Sequence, residues 1–110
     1  MTDYEDPADQ MEQVPKIVWS AYMKFRAAQR GYDLTKIEEI VRYSGEQYYD
    51  TVTHRVVVVG RHHNRLVVIP IEKKDNLILP VTIHAVTRQQ IRLRLRSGRF
   101  IHEQPATDLL

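Results

Sequence analysis

His84 and Arg88 are the residues of this sequence best placed to do chemistry. They lie between Pro80 and Arg99, a stretch with one histidine, five arginines (Arg88, Arg92, Arg94, Arg96 and Arg99) and no acid. A histidine near neutral pH can move a proton. Guanidinium groups bind phosphate oxygens in a fixed fork. The combination suits a phosphate-handling surface. A plain solvated segment can have the same composition, and a lone histidine is more often structural.

The surrounding pattern places these side chains. Leu77 to Val86 reads as a strand. Its alternation puts Val81, Ile83 and Ala85 on one face and Thr82, His84 and Val86 on the other. Thr87-Arg88-Gln89-Gln90 has the form of a capping box, so Arg88 falls in the first turn of a helix where free N–H groups attract anions. Ile91 to Arg96 also alternates with period two, but the cap at Thr87 and the stop at Gly98 favour a helix. On that helix Arg92 and Arg96 share a face that Arg99 can join, a stripe fit to track a phosphate backbone. Arg94 falls elsewhere and is expected to pair with an acid. Arg55 and Arg61 share a face with Val57 and Val59 on an earlier strand.

Other groups carry less. His62 and His63 are adjacent, so on a strand they point to opposite faces, and no third ligand accompanies them. No metal or other cofactor is expected. Tyr43, Tyr48 and Tyr49 can stack on bases or line a core, and Asp50 has no carboxylate partner in sequence. Phosphate-loop, dinucleotide, nucleophile-elbow and zinc-helix motifs are absent.

The elements that must position these residues follow in order. Lys16 to Trp19 is a short strand entered through Pro15. Ser20 caps a helix over Ala21 to Arg30, and Gly31 fits its stop. Thr35-Lys36-Ile37-Glu38 predicts a second capping box, with Gly45 as the stop of that helix. Strands are expected at Arg55 to Arg61, Leu66 to Ile71 and Leu77 to Val86, turning at His62-Arg65 and Lys73-Asn76, with a lead-in strand near Tyr48 to Thr53. The expected fold is α+β: an N-terminal strand and helical hairpin packed on one face of an antiparallel meander, with a C-terminal helix and the other face open.

The 110 residues suffice for one domain, expected over 16–101. Residues 1–15 read as a disordered acidic tail and 102–110 as a flexible one. The net charge of +2 conceals an asymmetry. Five acids fall in residues 1–15, leaving nine acidic against sixteen basic residues beyond, a charge of +7. So basic a body favours polyanions, RNA or DNA first. With no cysteine, no secretory signal and no apolar run of membrane-spanning length, a cytoplasmic protein without a membrane partner is expected.

The element order, with Gln29-Arg30-Gly31 before the second helix and His84-Ala85 leading into Thr87-Arg88-Gln89-Gln90, resembles the BrnT-type toxins of the wider RelE/ParE-like group. The likeness spans about residues 16 to 100. It implies a RelE-like fold and a metal-independent endoribonuclease of a type II toxin–antitoxin pair. RNA would be the substrate and a cognate antitoxin the protein partner. It further implies that Arg30, Arg61, His84 and Arg88 converge on the open sheet face. His84 stands where the family often has Ser or Ala. The alternative reading is a non-catalytic nucleic-acid- or protein-binding module on the same scaffold, with Arg55, Arg92, Arg96 and Arg99 carrying the affinity. A third is a homodimer or larger assembly pairing through sheet edges.

Overall fold

A computed structural model describes residues 14–103. The calls on residues 1–13 and 104–110 lie outside them. The fold is mixed α+β, with three helices and a seven-stranded, mostly antiparallel sheet. In chain order the elements are β1 (Lys16–Ile17), α1 (Ala21–Arg30), α2 (Leu34–Tyr43), β2 (Glu46–Asp50), β3 (Arg55–His62), β4 (Arg65–Lys74), β5 (Leu77–Pro80), β6 (His84–Ala85), α3 (Arg88–Arg96) and β7 (Phe100–Glu103). The sheet runs β1-β5-β4-β3-β2-β7, with β6 also on β4. Among the described residues only the β1–β5 pair is parallel.

Each face of the sheet has its own core. On one, Val58, Val67, Ile69 and Ile71 meet Met23, Ala27, Ile37, Ile40 and Val41 of the helical hairpin. Gly60 allows this approach: a Cβ there would lie 2.5 Å from Ile40 Cγ2. On the other, Tyr48, Val57, Val59, Val68 and Phe100 pack around Ile91 of α3. The face expected to stay open is therefore partly covered by the C-terminal helix. Its apolar valines explain why, since leaving them wet would forfeit about 25 cal/mol per Å².

Local signals explain most boundaries. Ser20 accepts from Met23 N at the start of α1, and Gly31 ends it in the left-handed conformation (φ 77°). Thr87 and Gln90 form the reciprocal capping box, and Gly98 follows α3 at φ 83°. The second helix differs from expectation. Asp33, not Thr35, is its N-cap, accepting from Thr35 N, and Ser44 rather than Gly45 closes it. Asp33 is held there because its own N–H donates to His62 Nε2 across the fold.

Two further differences shape the site. The expected strand from Leu77 to Val86 is broken. Pro80 pairs with Ile71 and His84 with Val68, four steps on one strand against three on β4. The extra residue is a β-bulge, and it reverses the alternation. Ile83 joins the hairpin core as expected, whereas Val81 lines the opposite face beside His84. The expected order also ended in a helix, but the chain returns as β7 along β2. His102 and Glu103 are in that strand, two residues past the expected domain end at 101. Among the described residues no helix is long and apolar enough to cross a membrane.

Candidate phosphate-handling groove

The sheet register builds the groove. Directly paired residues of antiparallel neighbours share a face. Phe100, Asp50 and Arg55 form one such row, and Val59, Val68 and His84 another. Phe100, Asp50, Arg55, Val68 and His84 of these rows line a groove of about 470 Å³, closed on one side by Gln90 and Arg94 of α3. Val57, Pro70, Val81 and Thr82 complete its apolar and bulged wall, and Arg99 closes its far end.

His84 is half-buried at the sheet edge. Arg30, the last residue of α1, reaches round that edge. Its Nη1 donates to Ile83 O at 3.0 Å and lies 3.2 Å from His84 Nδ1. Arginine has no acceptor, so His84 Nδ1 must accept, which leaves the proton of the neutral ring on Nε2. Burial holds the imidazole below its ordinary pKa, and the charges of Arg30, Arg26 and Arg94 push it the same way. His84 is thus neutral, with three guanidiniums near it. None of those three has a carboxylate within ion-pair distance among the described residues.

Of the arginines that line the groove, Arg55 and Arg99 are engaged by carboxylates. Asp50, 3% exposed, accepts Val52 N and takes a bidentate fork from Arg99 at 3.0 and 2.9 Å. Burial alone would raise this carboxyl. Arg99 and the N–H groups of Val52 and Thr53 outweigh it and hold the pKa at about 2. Arg55 forks onto Glu72 at 3.0 and 2.9 Å. Arg94 stands over the Phe100 ring, 5.6 Å from its centre, instead of pairing with an acid as expected.

The residues singled out in sequence are only partly brought together. Arg30 and His84 meet, and Arg55 and Arg99 line the same groove. Arg88 is bound to Glu46, whose hydroxyl partner Tyr48 is pushed up to about 12 by burial and by that carboxylate. Glu46 sits three strands from His84 along one row, roughly 14 Å. Arg61 lines a different depression with Lys36, Glu39 and Tyr43. Arg92 and Arg96 lie exposed on α3, outside the groove lining.

Arg94, Asp50 and Phe100 were not foreseen as groove residues. Arg94 stands three residues after buried Ile91, and that spacing puts it on the sheet-facing side. Asp50 could not be paired in sequence because its partner lies 49 residues away, across a strand that was not anticipated.

The chain matches no known protein family, no curated protein and no solved structure.

Proposed function

We propose that this protein is a toxin-like, metal-independent endoribonuclease, resembling BrnT-type members of the RelE/ParE-like group, with a RelE-like arrangement of its α+β elements. The observation that carries the reading is the neutral His84 with Arg30, Arg26 and Arg94, guanidiniums that have no carboxylate among the described residues.

The chemistry follows from the hydrogen bond at Nδ1. An RNA phosphate entering the groove draws the Arg30 guanidinium to its oxygens, because a bond between two charged partners outcompetes one to a neutral ring. His84 Nδ1 then accepts the proton of the ribose 2′-OH, whose oxygen attacks phosphorus. The bond to the 5′-oxygen breaks, the imidazolium returns the proton to that oxygen, and a 2′,3′-cyclic phosphate remains. Arg30 and Arg94 stabilise the charge that grows on the phosphorane. Arg88 and Arg61 serve in this scheme at a distance, along the RNA rather than at the reacting phosphate. A cognate antitoxin would silence the protein by covering the groove. The setting is cytoplasmic.

Labelled RNA incubated with the full chain in excess EDTA tests this. Cleavage with cyclic phosphate ends is expected, falling about 10²–10⁴-fold in His84→Ala, the usual worth of a positioned acid–base group. RNA left intact by the wild type, or cut equally well by the variant, would overturn it.

A second reading rests on Arg92 and Arg96, exposed on α3 and without carboxylate partners among the described residues. It is a nucleic-acid-binding module without catalysis. Its binding would survive His84→Ala and weaken in Arg92→Ala and Arg96→Ala.

A further inference from the structure

Beyond His84, Arg30 leads from the edge of the groove onto α1. Arg30 is the last of three residues spaced four apart on α1, with Arg26 and Tyr22 before it. That spacing aligns them in one row, with about 6 Å between successive members. Arg26 lies against Tyr22: its Nη2 donates to the phenol oxygen, and its guanidinium carbon is 5.3 Å from the ring centre. Phe25 stands one turn from Tyr22.

Tyr22 and Phe25 are unusual for aromatic residues. They are 52% and 60% exposed, although the same helix buries Met23 and Ala27 completely. Neither belongs to a core cluster among the described residues. An arginine over a tyrosine ring, continued by a second arginine at the catalytic histidine, has the two components of single-strand recognition. Cations track the backbone, and π-faces carry the bases.

Resting on the ribonuclease reading, we propose that the Tyr22-Phe25 face of α1 is a base-stacking platform for single-stranded RNA. It receives the nucleotides adjacent to the phosphate held at Arg30 and His84. Tyr22 stands about 12 Å from Arg30 along the axis, the length of roughly three stacked bases. Arg26 spans the interval and binds the intervening backbone. Charge selects the occupant: the row presents two cations and no acid, which suits a polyanion with exposed ring faces.

The test uses the full-length protein and a fluorescein-labelled 2′-O-methyl RNA 10-mer, which binds but offers no 2′-OH for attack. Fluorescence anisotropy at low salt is expected to show Tyr22→Ala/Phe25→Ala weakened about tenfold or more, with Tyr22→Phe close to wild type. An abasic 10-mer should bind wild type and double variant alike, since it has no bases to stack. Both side chains are exposed, and an unchanged thermal melt confirms that the variants fold. Equal binding of the 2′-O-methyl RNA by wild type and double variant would overturn the platform. So would an equal loss on the abasic probe. If sedimentation instead shows a dimer that the double variant loses, the face belongs to a second copy and the proposal fails. No wild-type binding to either probe would sink the RNA reading itself. Binding without cleavage of ordinary RNA would sink only the catalytic step.

Discussion

At the scale of single residues, His84 and Asp50 show opposite solutions to burial. His84 is kept neutral, by burial first and by three cations second. Its titration, followed by NMR, should centre below the ordinary imidazole value of about 6.5. Arg30→Gln should move the midpoint upward but only part of the way, because the burial remains. A midpoint unchanged by that substitution would show that Arg30 does not set the charge state of the ring. Asp50 is instead kept charged, with its pKa lowered to about 2. A depressed carboxyl adds stability that is complete above its ordinary pKa and lost as pH falls toward the folded value. The shift corresponds to roughly 2 kcal/mol, present at neutral pH and fading between about pH 4 and pH 2. Urea unfolding of Asp50→Asn should therefore show a deficit at pH 7 that largely disappears near pH 2. An equal deficit at both would assign the loss to packing.

At the scale of elements, the site depends on one close approach and one irregularity. Gly60 lets α2 lie on β3, with Ile40 where a side chain would be. Gly60→Ala should cost about 1–3 kcal/mol by overpacking. In a double-mutant cycle with Ile40→Ala the two costs should fall short of additive, because removing the Ile40 branches relieves the clash. Strict additivity would show that the helix had simply shifted. The irregularity is the bulge between Pro80 and His84. Unbroken alternation would put His84 on the same face as Pro80, against the hairpin core. These two features also mark how much the sequence could tell. Local chemistry was legible: Ser20, Gly31, Thr87 and Gly98 delimit α1 and α3 as read. Choices made by distant partners were not. Asp33 outcompetes Thr35 as a cap while His62 holds it from another strand. β7 is four residues that gain their structure from pairing with β2. His84 faces the groove, but alternation alone does not fix this, because the bulge interrupts it. Of the site, the contact of Arg30 with His84 has no local signature, since 53 residues separate Arg30 from the Ile83 carbonyl it also binds.

At the scale of the whole molecule, charge is distributed by what is already neutralised. Arg42, Arg55, Arg88 and Arg99 each hold a carboxylate, while the arginines around His84 hold none among the described residues. A count of basic residues along the sequence therefore misjudges where a polyanion binds. The arginines with unused charge decide it, and two groups of them flank the groove: those at its His84 end, and Arg92 and Arg96 on the exposed side of α3. Salt dependence separates these. Each phosphate neutralised on a single strand contributes about −0.7 to the slope of log affinity against log salt. If Arg26, Arg30 and Arg94 each contribute one ion pair with the strand, the wild-type slope from those contacts is roughly −2. Arg94→Ala should then flatten the slope by about 0.7, and Arg92→Ala should leave it nearly unchanged. The reverse result would move the nucleic acid onto the outside of α3. That outcome would leave His84 without a substrate phosphate, and the molecule would be a binder rather than a nuclease.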